Sequence, residues 1–307
     1  MTEPRTVQLP EARNFFYHIA GLGILLLNKI RHSLQGYKSP RTFPITEITR
    51  AIDYDFSVVD HWLSAYSEYT GNPSSLAGRT VLELGPGADL GIGLITLMLG
   101  ARKYNSLDIN NLVSSVPPEF YADLFKTMRS RGASNSDIET LKGELSKTSQ
   151  GNNDRLNYVV RDDFDIAVFK DEGIDTVFSQ AAFEHFDDIP LTFSRLGTVV
   201  RPGTCLIAEV DLNTHTRWIR DIDPLNIYRF GDFYYDFCRF PGSPNRLTAS
   251  DYKRALEQSG WRNIHITPLV CVDDNYLEKV QPRLASRFRK LEHEMGYLSI
   301  MVCATKN

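Results

Sequence analysis

The amino-acid sequence predicts an α/β fold, a mostly parallel seven-stranded sheet with helices on both faces, preceded by an N-terminal helical cap. Three observations carry this. Short apolar runs of strand length recur from residue 80 to the C-terminus. Helix-patterned stretches separate most of them, the alternation that builds parallel sheets. Before residue 78 the apolar spacing is helical throughout.

The elements follow in order. Residues 15–27, FFYHIAGLGILLL, are nearly all apolar. The run falls short of the roughly 20 apolar residues a bilayer core requires. A helix buried against the rest of the chain is the preferred reading. Because Lys29, Arg31 and His32 follow it, a helix lying on a membrane surface is the less favoured one. Residues 51–69 place Ile52, Phe56, Val59, Trp62, Leu63 and Tyr66 at near-helical spacing, and Asn72-Pro73-Ser74 ends that pattern. Strands are expected at 80–84, 104–108, 156–160, 176–179, 204–210, 264–270 and 297–304, with an apolar helix at 90–99.

The boundary therefore falls between a helical cap at 1–77 and an α/β domain at 78–307. Two insertions interrupt the domain, at about 111–155 and 213–247. The first has helical patterning near Tyr121 to Met128; the second is rich in aromatics, including Trp218, Tyr228, Phe230, Phe233, Tyr235 and Phe237. Connections of such length usually carry structure or function. Both leave the carboxyl ends of strands, where open α/β sheets bind ligands, so they are read as pocket walls or lids. A dimer interface is the competing role of the aromatics.

Composition bounds the function. With 42% hydrophobic residues, 14 Tyr and 17 Phe, the chain has ample core material. A net charge of -4 argues against a general nucleic-acid binder, which needs a basic surface. Cys205, Cys238, Cys271 and Cys303 form no CxxC and no zinc-like spacing, so no metal site is expected and a reducing, cytoplasmic setting is. The polar first residues give no signal-peptide pattern.

The strongest motif is VLELGPGADLG, residues 81–91. An apolar strand delivers a glycine turn into a helix. Gly85 and Gly87 let the backbone approach a ligand, and the helix beginning near Asp89 aims free N–H groups at a carboxylate. The spacing departs from the dinucleotide pattern G-x-G-x-x-G, because residue 90 is Leu. Glu83 at the strand end suits an ammonium-bearing ligand better than a pyrophosphate. Asp108 ends the second strand about 20 residues on, where an acid can accept both ribose hydroxyls. Asp162, in VVRDDF, ends the third and can accept from an adenine amino group.

With these residues the chain resembles the class I S-adenosylmethionine-dependent methyltransferases, and within them the broad small-molecule subgroup called type 11 or 12. VLELGPG is similar to the family's first motif, SLDIN to its second, VVRDDF to its third, VFSQAAFEHFDD to its fourth and RPGTCLIAEV to its fifth-strand turn. The resemblance runs from about Gly78 to the C-terminus and implies a Rossmann-like domain with S-adenosylmethionine as cofactor. It gives Glu83, Gly85 and Gly87 to the methionine part, Asp108 to the ribose, and Asp162 with the backbone of Asp163 to adenine, Phe164 packing nearby. Ser179 and Gln180 border the sulfonium end, and Pro86 and Ile109 complete the cofactor set. Asp163 departs from the small residue often found there, which leaves open which of the two acids meets the adenine.

Two histidines are candidate catalytic bases, His185 after the fourth strand and His215 after the fifth. Imidazole suits base work near neutral pH. Arg246, in Asn245-Arg246-Leu247, is read as a structural ion pair in preference to a substrate anchor. Thr248 or Ser250 is the expected N-cap of the next helix. The pattern DLNTH, aromatic segment, NRL resembles methyltransferases of glycan and secondary-metabolite pathways. The expected reaction is therefore methyl transfer to oxygen or nitrogen of a small molecule, a sugar or secondary metabolite, in a monomer or a homodimer. Competing readings are a methyltransferase-like subunit without catalysis, a protein or RNA methyltransferase, and a nicotinamide dehydrogenase.

Overall fold

The computed structural model describes residues 3–36, 42–290 and 292–307. Eight strands form one sheet in the order β1-β7-β8-β6-β5-β2-β3-β4. They are β1 (Arg5–Val7), β2 (Thr80–Leu84), β3 (Lys103–Asp108), β4 (Leu156–Val160), β5 (Ile174–Gln180), β6 (Val200–Asp211), β7 (Trp261–Val272) and β8 (Tyr297–Lys306). β8 runs antiparallel between β6 and β7, and the other ladders are parallel. The seven expected strands are all present. The eighth, β1, pairs Arg5–Val7 with Val270–Val272; three residues without an apolar run leave too little pattern to read.

The helices are α1 (Asn14–Gln35), α2 (Ile48–Thr70), α3 (Gly91–Met98), α4 (Pro118–Ser130), α5 (Asn135–Ser149), α6 (Ile189–Val199), α7 (Arg217–Arg220), α8 (Asp232–Cys238), α9 (Ala249–Gln258) and α10 (Asp274–Val280). One face of the sheet is covered by α2 to α5. There Ile52, Phe56, Val59, Trp62 and Tyr66 recur at three- and four-residue intervals and are buried together with Phe178 and Ile207 of the sheet. The Trp62 indole stacks on Phe178, centroids 4.6 Å apart and planes 2° from parallel. Gly71, in the left-handed region at φ 67, ends α2. The other face carries α6 and α9, where Phe193, Leu196, Tyr252 and Leu256 bury against Leu82, Leu206 and Val302. Thr248, with Asp251, forms the capping box of α9. A third cluster joins Tyr228 and Tyr235 of the aromatic segment to Tyr276, Val280 and Phe288.

The buried-helix reading of residues 15–27 needs correction. Only Tyr17, Gly21 and Ile24 of α1 are buried. They rest on the aromatic segment, where a side chain at Gly21 would strike Asn226 and Phe230 and the Asn226 amide donates to the Tyr17 carbonyl at 2.9 Å. Phe15, Phe16, Ile19, Leu27 and Leu34 are exposed. Among the described residues no helix is long and apolar enough to cross a membrane. The aromatic segment divides similarly: Tyr228, Phe230 and Tyr235 are core, whereas Trp218, Phe233 and Phe237 face outward.

Candidate active site

The chain winds from β2 outward through β3 to β4, then returns to β5 on the other side of β2. At such a reversal, connections leave a crevice at the carboxyl ends of the strands. The glycine turn lies there. Gly85 and Gly87 have φ of 76° and 82°, conformations that cost an L residue with a Cβ. A Cβ on Gly85 would also stand 2.6 Å from Ala182 Cβ, so this glycine is fixed by both backbone and neighbour. The Gly85 N–H donates to Leu107 O at 3.0 Å, tying the turn to β3. α3 starts at Gly91, two residues later than expected, where the Asp89 carboxylate accepts from the Gly91 N–H at 2.7 Å.

Two sequence-predicted acids meet at this turn. Asp108 is buried; it accepts from the Asn110 N–H at 2.9 Å. Burial raises its pKa, and the N–H groups of Asn110, Gly87 and Ile109 aimed at it work the other way. Glu83 is 1% exposed. It accepts from the Tyr104 hydroxyl, while its Oε1 has no hydrogen-bond partner. Burial pushes its pKa up to about 8, with the Tyr104 bond opposing. A buried carboxylate oxygen without a donor is costly, and an ammonium group placed there would satisfy it.

The residues that follow β4 separate in a way the sequence left open. The Asp163 carboxylate is held by Arg161, Nε–Oδ1 2.8 Å and Nη2–Oδ2 2.7 Å. Asp162 is exposed beside it. Phe164, at φ 47, meets Phe186 edge-on at 4.7 Å. Ile109 is 49% exposed next to Asp108. On β5 the Ser179 hydroxyl is turned inward to Leu84 O at 2.9 Å, so its side chain braces β2 and does not face the crevice. Gln180 presents a buried Oε1 without a partner, and Ala181 after it is held at φ 47.

His185 and His215 are brought together, rings 4.7 Å apart and nearly perpendicular. His185 Nδ1 lies 2.6 Å from Gly242 O, and His215 Nδ1 lies 2.9 Å from Asn213 O. A carbonyl only accepts, so both Nδ1 atoms carry a proton. Burial, then the neighbouring His215, lowers the His185 pKa to about 4. Burial also works to lower that of His215, but Glu184 and Asp211 outweigh it and leave it raised. Glu184 is the residue sequence reasoning passed over. It is 2% exposed, and burial pushes its pKa up to about 7 against the pull of His215. His215 Nε2 stands 3.9 Å from its Oε1, an ion-pair separation and not a hydrogen bond. An acid within the otherwise apolar turn AAFEHF was the available signal.

Asn245 and Arg246 explain the NRL motif. Asn245 clamps the turn bearing Glu184: its N–H donates to Glu184 O at 2.7 Å and its amide to Phe183 O at 2.8 Å. Arg246 is structural, as expected. It is buried, donates to Ile227 O and Phe230 O, pairs with Asp232 at 2.6 Å and lies 3.8 Å over the Tyr235 ring. A further pair was missed on α2 and behind the turn. Asp55 is buried, its Oδ2 has no hydrogen-bond partner, and burial followed by the neighbouring Asp89 carboxylate raises its pKa strongly. An acid on the apolar face of the 51–69 pattern was its signal.

Residues 123–208 match a family model described as a methyltransferase domain. No curated protein matches the chain. Among solved structures it is similar to the CurJ carbon methyltransferase, at 16% identity and TM-score 0.45, with 94% of this chain and 67% of that one covered. Phosphoethanolamine N-methyltransferase 2 of Haemonchus contortus, in complex with S-adenosyl-L-methionine, gives 13% and 0.45, covering 80% of this chain and 52% of that one. An S-adenosylmethionine-dependent methyltransferase of Mesorhizobium loti gives 15% and 0.42, covering 81% and 100%. This chain thus spans about half the length of the Haemonchus enzyme and two thirds of CurJ. The family match runs from within α4 to within β6 and so takes in β4 and β5 of the sheet.

Proposed function

We propose that the chain transfers the methyl group of S-adenosylmethionine to oxygen or nitrogen of a small molecule, a sugar or secondary metabolite. The observation that carries the cofactor's placement is the convergence of three features on one crevice. These are the left-handed turn at Gly85 and Gly87, the donorless Oε1 of Glu83 and the buried carboxylate of Asp108. Glu83 holds the ammonium and the backbone from Gly85 through Pro86 to Gly87 lies along the methionine part. Asp108 accepts the ribose hydroxyls with Ile109 packed beside it. Asp162, whose neighbour Asp163 is engaged by Arg161, accepts from adenine, and the Asp163 backbone and Phe164 line the same end. Gln180 borders the sulfonium end; Ser179 supports it from behind.

The cofactor supplies a methyl carbon already activated by positive sulfur. This chain's residues position and exclude water. Alignment of the acceptor can supply about 7–11 kcal/mol of the barrier. His185 and His215, with Nδ1 protons held by backbone carbonyls, stand on the acceptor side and deal with the proton the acceptor loses. The aromatic segment, latched at Gly242 and Asn245, walls that side.

Calorimetric titration with S-adenosylhomocysteine tests the cofactor half. Binding by the wild type and none by Gly87→Val is the expected result. A panel of hydroxylated and amine acceptors with labelled S-adenosylmethionine then tests the acceptor class.

A further inference from the structure

Three side chains at the acceptor side are all acceptors. The Glu184 carboxylate is 2% exposed and neither of its oxygens has a hydrogen-bond partner. His185 and His215 donate Nδ1 protons to backbone carbonyls, an arrangement that orients metal-binding imidazoles, and His215 turns Nε2 toward Glu184. One ligand atom from each of the three lies within 4.8 Å of the others. Lone pairs converging on one buried point repel one another unless a cation stands between them. His215 Nε2 stands 3.9 Å from Glu184 Oε1, too far for a hydrogen bond.

We infer that Glu184, His185 and His215 form a binding site for one divalent transition-metal ion of the zinc, cobalt or manganese class. Two imidazoles and a carboxylate favour such ions over magnesium, which seeks oxygen ligands. Metal–ligand bonds are about 2.0–2.2 Å, so binding draws the three ligand atoms closer than the 4.8 Å within which they now lie. Three protein ligands leave coordination positions open. The exchangeable ligand there is water or an oxygen of the acceptor. With an ion bound, the imidazole lone pairs would be committed to it, and polarising an acceptor hydroxyl would pass from the histidines to the ion. The role of the ion rests on reading this crevice as the site of methyl transfer; its binding does not.

The test is a Co2+ titration of the full chain, stripped with chelator and dialysed, followed by visible ligand-field absorption and by calorimetry. One equivalent should bind with imidazole-type absorption. Glu184→Gln and His215→Ala should each weaken it at least about tenfold, with circular dichroism and melting showing that both variants fold. His61→Ala, on the exposed side of α2, should bind as the wild type does. Should Glu184→Gln fail to fold, His215→Ala alone decides. Absence of a one-equivalent site, or a site untouched by these substitutions, overturns the proposal. S-adenosylhomocysteine calorimetry on the same metal-free protein reports the methyltransferase crevice separately, so failure of one reading is distinguishable from failure of the other.

Discussion

The hydroxyl of Tyr104 donates to the carboxylate of Glu83, and both side chains are buried on neighbouring parallel strands, Tyr104 lying opposite Val81, two residues before Glu83. Tyr104 supplies one donor to a group with two oxygens. Burial then raises the Glu83 pKa from 4.5 to about 8. The raised value favours folding when Glu83 is protonated. Its contribution is complete below about pH 4.5 and is lost as pH rises through about 8. The ligand-free protein should therefore lose melting temperature across that window, and Glu83→Gln should flatten the loss. Melting curves at successive pH values check this.

The same carboxylate gives a binding signature. An ammonium ligand favours ionised Glu83, so binding near neutral pH releases a proton. Titration calorimetry with S-adenosylhomocysteine in buffers of different ionisation enthalpy should show proton release in the wild type and less in Glu83→Gln. Equal release by both would remove Glu83 from the site.

Gly85→Ala combines a left-handed backbone with a new atom 2.6 Å from Ala182 Cβ. A non-glycine residue in that region costs about 1–3 kcal/mol, and the clash adds to it. Urea unfolding should show destabilisation of at least about 1 kcal/mol. Gly151→Ala, also at positive φ but with open space around its Cβ, isolates the backbone share.

Arg246→Met should destabilise without altering intrinsic ligand affinity. It strips donors from the Ile227 and Phe230 carbonyls and leaves Asp232 its pairing with Arg287. Losing partners for buried groups costs about 1–3 kcal/mol. Unfolding midpoints measure the stability, and S-adenosylhomocysteine affinity at low temperature should stay within about twofold.

Much of this was legible because parallel strands buried on both faces read as apolar runs. TVLEL at 80–84 and the runs ending at Asp108 and Val160 stand out for that reason. Edge strand β1 leaves no such trace, and α1 misled because its apolar residues encircle the helix while only Tyr17, Gly21 and Ile24 are buried. At the site, Gly85, Gly87 and Asp108 announce themselves through spacing within one β-α-β unit. Glu184 and the Asp55–Asp89 pair acquire meaning from segments far apart in sequence. No local pattern shows that both Glu184 oxygens lack donors, or that Asn213 and Gly242 hold the Nδ1 protons of two histidines. Ser179 lies where its strand position indicates, but its rotamer points to Leu84, a choice set by packing.

The central claim is that one ligand is shared by the turn at Gly85–Gly87 and the Asp108 carboxylate. Calorimetric titration of S-adenosylhomocysteine into wild type, Gly87→Val and Asp108→Ala tests it most directly. The account predicts a single site in the wild type, no binding by Gly87→Val, and a loss of about 1–3 kcal/mol, or about 5- to 150-fold, in Asp108→Ala. Wild-type affinity in both variants, with their folds intact, would contradict it.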